Sequence, residues 1–311
     1  MASSSRGTSR ILRTRADMSA VRRSFGSLCS VGFVPTMGAL HQGHLHLMER
    51  ARRENDILVV SIFVNPKQFG PHEDFDKYPR DLENDAKLVV EKGVDFIFAP
   101  GVADMYTPSH RCYVVPEGFE HFAEGKSRPG HFKGVATIVT KLFGIVQPTK
   151  AYFGQKDAMQ CVLMRRLVED LNLPPAIVVC DTVREKDGLA MSSRNAYLSQ
   201  HERSAAPVVY KSLRAAEQAF CNSETSISAA ELQQIVRDIL AREELIHTVE
   251  YVSVARKDTM EELEDIVQPN EGAVISLAIK ETARRRHLLA SCSRLPGGRA
   301  GGGRASCYGT A

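Results

Sequence analysis

The 311-residue sequence lacks any apolar run of about twenty residues, which is the length that a membrane-spanning helix needs. Its seven cysteines include no Cys-x-x-Cys pair and are odd in number. This usage argues against a disulfide framework or a zinc site and favours a reducing compartment. Internal repeats are absent as well. The hydrophobic content of 43% and the charged content of 25% are ordinary for a soluble globular protein of one large domain or two modest ones.

Acidic residues are missing from both ends of the chain. Residues 282–311 contain six arginines and no Asp or Glu, and without them the net charge of +3 becomes −3. The body is therefore mildly acidic, which argues against a basic nucleic-acid-binding face. The first sixteen residues contain four arginines, four serines and no acid. This composition fits an organellar transit peptide, but no cleavage signal supports one, so we expect a cytoplasmic protein with disordered ends at residues 1–15 and 282–311.

Short apolar runs alternate with segments of helical periodicity over residues 16–182. The run ILVVSIFV at residues 57–64 is rich in β-branched side chains, as expected for a strand buried on both faces. The alternation predicts an α/β fold, a Rossmann-like doubly wound parallel sheet with crossover helices. The predicted strands are residues 31–34, 57–64, 94–98, 113–115, 151–153 and 176–180. The predicted helices are residues 16–25, 43–55, 81–92, 132–146 and 157–172.

The pattern changes after residue 182, where we place a domain boundary. A loop at residues 183–195 precedes two capping boxes, Ser199-x-x-Glu202 and Ser228-x-x-Glu231. These predict helices that continue to about residues 221 and 242. Strands are predicted at residues 248–255 and 273–279. Residues 183–281 should therefore form a smaller C-terminal α+β domain.

The stretch VPTMGALHQGHLHLM at residues 34–48 places two histidines where a predicted strand gives way to a helix. The first turn of a helix carries unpaired N–H groups and partial positive charge, which suit a phosphate. Gly38 and Gly43 allow close approach of a ligand, and the imidazoles of His41 and His44 can donate to phosphoryl oxygens. An isolated His-x-x-His pair is more often accidental or a metal half-site. The preceding strand, the intervening glycine and the following helix favour phosphate.

Polar residues also follow two other predicted strands, at the edge where ligands bind in such a sheet. The amides of Asn65 and Gln68 suit a hydroxyl-rich substrate, although an ordinary Asn-Pro turn is an equal alternative. Gly154 permits close approach, Lys156 offers a charge for phosphate, and Asp157 could instead cap a helix.

The segment MSSRN at residues 191–195 lies in the predicted interdomain loop. Its two hydroxyls and its arginine could fold over a triphosphate, although as a bare pentapeptide it is a polar turn.

Residues 34–44 resemble the His-x-Gly-His signature of the nucleotidyltransferase superfamily and, more narrowly, the pantoate–β-alanine ligase (pantothenate synthetase) family. The resemblance continues in the same order to about residue 204. It includes NPKQF at residues 65–69, RPGHF at 128–132, FGQKD at 153–157 and DGLAMSSRN at 187–195. It is much weaker over the last hundred residues, and after residue 280 the sequence does not continue into the segment that follows the family's usual last strand.

The resemblance implies a ligase that condenses (R)-pantoate with β-alanine through a pantoyl adenylate, consuming ATP and releasing AMP and pyrophosphate. It assigns catalysis to His44, the proton donor, with His41, Lys156 and Arg194, and substrate binding to Gln68, Gln160 and Asn65. The residues that it assigns to ATP are Met37, Gly38, His41, Gly43, His44, Gly154, Gln155, Lys156, Asp157, Val183 (through its backbone), Met191, Ser192, Ser193 and Arg194.

The resemblance also implies a homodimer, and Mg²⁺ carried on ATP, since no carboxylate cluster marks a metal site of the protein itself. We expect no nucleic acid and no membrane as partners. Two other functions remain open: a nucleotidyltransferase of the same superfamily that acts on a phosphorylated acceptor, and an RNA-binding protein that acts through its Arg/Gly-rich tail.

Overall fold

A six-stranded sheet, parallel throughout, forms the centre of the computed structural model, which describes residues 9–223, 226–268, 270–280 and 288–295. Its strands are β1 (Arg10–Leu12), β2 (Val31–Thr36), β3 (Ile57–Ile62), β4 (Phe96–Phe98), β5 (Lys150–Gly154) and β6 (Ala176–Cys180). Their order across the sheet is β1-β4-β3-β2-β5-β6. From β2 the chain therefore builds outwards through β3 and β4 on one side, and through β5 and β6 on the other.

Helices cover both faces of this sheet, as predicted for a doubly wound fold. They are α1 (Arg15–Arg23), α2 (Gln42–Glu54), α3 (Leu82–Glu91), α4 (Val102–Met105), α5 (Ala123–Ser127), α6 (His131–Val146) and α7 (Ala158–Asp170). Consecutive strand residues point to opposite faces, so Phe33 joins the core beneath α1, α6 and α7, whereas Val34 joins the core beneath α2 and α3. Both side chains are fully buried.

The direction of chain building reverses between β2 and β5, which lie side by side. In an open α/β sheet this reversal opens a crevice at the carboxyl ends of the strands. The histidine segment follows β2, and Lys156 follows β5. The topology therefore places both predicted phosphate-binding segments beside the crevice.

A three-stranded antiparallel sheet follows, formed by β8 (Thr248–Ala255), β10 (Val274–Lys280) and β11 (Leu288–Arg294) in the order β11-β10-β8. The other elements of this C-terminal part of the chain are α8 (Gln200–Ala205), α9 (Val208–Asn222), β7 (Ile227–Ser228), α10 (Ala229–Leu240) and β9 (Ile266–Val267). Apolar side chains of α9 and α10 pack against the sheet. The predicted α+β content is confirmed, and the boundary at residue 182 stays a prediction.

Two strands lie in segments that we expected to be disordered. In the first, β1 pairs with β4, because Leu12 is an apolar residue that reaches the core. In the second, β11 pairs with β10 along its whole length. The expectation of disorder is therefore wrong for residues 9–15 and 288–295, which also include the cap of α1 at Thr14 and the buried Leu295. The rest of it, over residues 1–8, 282–287 and 296–311, lies outside the described residues.

Two local predictions also fail. Residues 113–115 form no strand, since both backbone groups of Val114 hydrogen-bond to Thr137 Oγ1 of α6 instead of to another strand. The single helix predicted from Ser199 is broken into α8 and α9 at Pro207, which lacks an N–H and clashes with the preceding turn.

Cys29, Cys112, Cys161 and Cys180 take part in no disulfide bond. Cys221 is disulfide-bonded, which the argument against a disulfide framework did not anticipate. It lies on α9, which packs against β11. None of the helices in the described part of the chain is long and apolar enough to cross a membrane.

Candidate active site

A cavity of about 230 Å³ lies at the carboxyl ends of β2, β3 and β5, beneath the segment at residues 191–194. It gathers predicted residues from five separate parts of the sequence. Gly38 and Gln155 lie outside its lining. The predicted residues that line it are Met37, His41, Gly43, His44, Asn65, Gln68, Gly154, Lys156, Asp157, Gln160, Val183, Met191, Ser192, Ser193 and Arg194.

The two histidines form a capping box at the start of α2. Nδ1 of His41 accepts a hydrogen bond from the backbone N–H of Gly43 at 3.1 Å, and the backbone N–H of His41 donates to Nδ1 of His44 at 3.4 Å. The ring centroids are 4.0 Å apart. Because Nδ1 accepts in both rings, each neutral imidazole carries its proton on Nε2. A Cβ on Gly43 would lie 2.8 Å from the ring of His41, so this cap requires glycine.

Both imidazoles are neutral at pH 7. Burial, reinforced by the charge of Lys156, lowers the pKa of His41 to about 4 against the opposing effect of Asp157. Burial lowers the pKa of His44 well below 6.5, and the electrostatic effects of His41 and Lys156 lower it further. The pair therefore offers two neutral Nε2–H donors, which can bind phosphoryl oxygens without a change of protonation.

The lowered pKa of His41 predicts a pH dependence of stability. In the unfolded chain a histidine takes up its proton near pH 6.5, whereas folded His41 stays neutral down to about pH 4. Protonation between these values favours the unfolded chain, so the free energy of unfolding should fall as the pH drops through this window. His41→Gln should lack this part of the decline in urea unfolding, whereas the control His46→Gln, on the exposed side of α2, should retain it. Identical pH profiles for wild type and His41→Gln would contradict the prediction.

Asn65 holds the side chain of Gln68 by a hydrogen bond. Its Nδ2 donates to Oε1 of Gln68 at 3.0 Å and to the carbonyl of Gly134 at 3.1 Å. Its Oδ1 accepts from the hydroxyl of Tyr106 at 2.8 Å and from the backbone N–H of Lys67 at 3.3 Å. Asn65 is only 1% exposed, and these bonds use both of its N–H donors. Its direct contact with substrate stays a prediction, while the geometry gives it the task of orienting Gln68.

A second network holds the backbone of Gln68. Arg128 donates to both carboxylate oxygens of Glu73, at 3.0 and 2.7 Å, and its Nη1 lies 2.9 Å from Nε2 of His131. Since arginine can only donate, Nε2 of His131 accepts, and its Nδ1–H donates to the carbonyl of Gln68 at 2.8 Å. Burial and the charge of Arg128 lower the pKa of His131 well below 6.5. His131 is therefore a neutral bridge that fixes the Gln68 turn.

The segment at residues 191–194 closes one side of the cavity. Arg194 donates to Asp74 through Nε at 3.0 Å and Nη2 at 2.9 Å, which leaves three of its five N–H groups for another partner. The hydroxyl of Ser193 donates to the carbonyl of Ala39 at 2.9 Å, in the loop before His41. Met191 N–H donates to the carbonyl of Val183 at 3.0 Å.

Lys156 has an acidic partner in Asp157, whose carboxylate lies 3.2 Å from Nζ. Burial alone would raise the pKa of Asp157, but the charges of Lys156, Arg128 and Arg194 outweigh it and lower that pKa. Asp157 therefore stays ionised, and the capping hydrogen bond that we considered for it is absent at the start of α7.

Several residues of the cavity carried no recognised signal in the sequence. Tyr78, Glu124 and Asp181 add polar groups. The apolar wall consists of Phe63, Val135, Ile138, Val139 and Leu142. The four residues on α6 have helical spacing, which indicates a buried face but does not distinguish core from cavity.

A parallel α/β sheet that places a His-x-Gly-His helix start at its reversal point defines a nucleotide-binding α/β protein. The family model described as pantoate-beta-alanine ligase matches residues 10–288. The chain belongs to this family of ligases. The pantothenate synthetase of Chloroflexus aggregans is 51% identical over 270 residues, which cover 87% of this chain and 95% of that protein. The pantothenate synthetase of Acetivibrio thermocellus is 49% identical over 273 residues, 87% of this chain and 95% of that protein.

Solved structures of pantothenate synthetases have the same fold as this chain. The pantothenate synthetase of Thermus thermophilus superposes with a TM-score of 0.83 at 43% identity, covering 92% of this chain and 99% of that chain. The pantoate-β-alanine ligase of Francisella tularensis, solved with beta-gamma ATP and β-alanine, gives a TM-score of 0.75 at 32% identity, covering 92% and 97%.

Proposed function

We propose that this chain condenses (R)-pantoate with β-alanine through a pantoyl adenylate, consuming ATP and releasing AMP and pyrophosphate. One observation carries the proposal. A single cavity joins the imidazole pair of α2, Lys156 and Arg194, which suit phosphates, to Gln68 and Gln160, which suit a hydroxy acid. An enzyme that adenylates a hydroxy acid needs these two sets of groups beside each other.

In the first step, a carboxylate oxygen of pantoate attacks the α-phosphorus of ATP and pyrophosphate leaves. Negative charge grows on phosphoryl oxygens, which the Nε2–H groups of His41 and His44 are free to bind. A preorganised donor of this kind is worth about 3 kcal/mol in the transition state. The three remaining N–H groups of Arg194 suit the departing pyrophosphate.

The amide of Gln68 is held and yet available. Among the described residues, its Nε2 donates only to Sδ of Met37, at 3.2 Å, and a thioether is a weak acceptor that a substrate oxygen can replace. The apolar wall that includes Val139 and Leu142 suits the two methyl groups of pantoate.

In the second step, the amine of β-alanine attacks the acyl carbonyl and AMP leaves. An acyl adenylate is lost to hydrolysis if water reaches it, so the site must exclude water between the two steps. The segment at residues 191–194, bonded to Ala39 and Asp74, covers the cavity in the manner that this requires.

Magnesium enters this proposal as part of the substrate MgATP. Within the described ranges, no group of three or more His, Cys, Asp or Glu side chains is placed to hold a metal ion. We therefore propose that the phosphates of ATP supply most of the ligands of the metal. We also propose that the chain forms a homodimer, which the family resemblance supports. We propose a cytoplasmic location as well, because the scattered cysteines favour a reducing compartment.

The test is incubation of the protein with MgATP, pantoate and β-alanine. We expect AMP and pantothenate in equal amounts, and ATP–pyrophosphate exchange that needs pantoate but not β-alanine. Exchange that requires a phosphorylated acceptor instead would support the nucleotidyltransferase alternative and refute the proposal.

A further inference from the structure

The loop that leads from β2 to His41 has an unusual backbone. Gly38 has φ +83° and Ala39 has φ +52°, so two consecutive residues adopt the left-handed conformation. This conformation is unfavourable for Ala39 because it carries a Cβ. The loop must therefore be held by contacts from outside, since its own sequence does not favour this shape.

Those contacts come from Asp85 in α3. Oδ2 of Asp85 accepts from the backbone N–H of Ala39 at 2.9 Å, and Oδ1 accepts from that of Leu40 at 2.8 Å. The residue is only 2% exposed. Although burial raises its pKa, the two N–H groups favour the ionised form. Both oxygens of one carboxylate are thus committed to the two residues that precede His41.

Gly38 belongs to the same contact. A Cβ at this position would lie 2.8 Å from Oδ2 of Asp85, and Gly38 does not line the cavity. Its backbone N–H donates to Thr36 Oγ1 at 3.2 Å. The absence of a Cβ at Gly38 therefore makes room for the carboxylate of Asp85, although the resemblance assigned Gly38 to ATP.

We propose that Asp85 is a positioning residue for the adenylation step: it fixes residues 38–40 so that His41 and His44 present their Nε2–H groups to the cavity. The inference rests on the proposed function. The same loop carries the carbonyl of Ala39 that accepts the hydroxyl of Ser193. Asp85 therefore also fixes the docking point of the segment that carries Arg194.

The experiment compares Asp85→Asn with the wild type. The amide keeps the volume but turns an NH₂ group towards one backbone N–H. We expect kcat for pantoate-dependent pyrophosphate exchange to fall at least about tenfold, since misplaced catalytic groups lower the rate by this much or more. The KM for pantoate should change less than about twofold, because separate networks hold Gln68. The pKa of His41, followed by NMR, should rise from about 4 towards 6.5 as the ring leaves its buried position.

Asp81→Ala is the matched control. Asp81 caps the same helix by accepting from the backbone N–H of Asn84, whereas the N–H groups of the loop donate to Asp85. The control should keep both kcat and the pKa of His41. Equal losses in the two variants would assign the effect to helix stability and overturn the proposal, as would an unchanged kcat and pKa in Asp85→Asn.

A rescue variant covers poor folding of Asp85→Asn. Glycine adopts φ +52° without a Cβ penalty, so Ala39→Gly in the Asp85→Asn background should restore part of kcat and lower the pKa of His41 again. No recovery in this double variant would contradict the positioning role. The NMR measurement needs no substrate, so it separates failure of this inference from failure of the proposed function.

Discussion

Replacing His44 with alanine should leave the chain folded and lower pantoate-dependent pyrophosphate exchange by about a hundredfold or more. The imidazole faces the cavity through Nε2–H, and its Nδ1 accepts the backbone N–H of His41 at 3.4 Å. Loss of that long cap should cost the helix about 1 kcal/mol or less. The free energy of transition-state stabilisation lost with this donor should therefore exceed the free energy of unfolding lost with the cap.

His46→Ala provides the control for this result. His46 lies on the same helix two residues further on, but its side chain is exposed and does not line the cavity. The two variants remove the same side chain from α2 and differ only in the face they alter. Exchange kinetics, with circular dichroism as the check on folding, should show a large loss in His44→Ala alone. Near-normal exchange by His44→Ala would remove His44 from the catalytic residues.

Replacing Gly134 with alanine should displace the Gln68 turn. The added Cβ would lie 2.1 Å from the carbonyl oxygen of Lys67 and 2.6 Å from Cα of Gln68. Both neighbours are backbone atoms, so the turn or α6 itself must move. Overpacking of this kind costs about 3 kcal/mol of stability. Movement of the turn should also raise the KM for pantoate by about tenfold or more, since it breaks the bond from Asn65 to the carbonyl of Gly134.

Gly144→Ala makes the comparison within one helix. Gly144 is exposed, and a Cβ there would have no neighbour within 4 Å. Alanine has the higher helix propensity, so this variant should gain about 0.5 to 1 kcal/mol. Urea unfolding of the two variants should therefore give shifts of opposite sign. A Gly134→Ala protein with unchanged stability and unchanged KM would show that the turn is not packed as described.

The crevice could be predicted from the sequence because its parts are local. His41, Gln68 and Lys156 each follow an apolar strand within a few residues, and parallel strands end at one edge. Pro207 also carried a local signal, since a proline inside a helical pattern ends the helix, although we predicted one helix there.

The supporting residues could not be found in this way, because their partners are distant. Asp85 meets Leu40 across 45 residues, Tyr106 meets Asn65 across 41, and Arg194 meets Asp74 across 120. Periodicity indicates which face of an element is buried, but not which backbone N–H a buried carboxylate accepts. The pairing of β1 with β4 is of the same kind, since a three-residue strand has too little pattern to predict.

The ion pairs of the cavity have a consequence for selectivity and release. Lys156 faces Asp157 and Arg194 faces Asp74, while both imidazoles are uncharged, so the formal charges of these groups cancel. Such a site exerts little long-range attraction on free inorganic anions, because opposite charges this close screen each other. The site discriminates between anions instead by the directions of its N–H groups. Pyrophosphate can leave it more easily, because each cation that it leaves behind has a carboxylate partner.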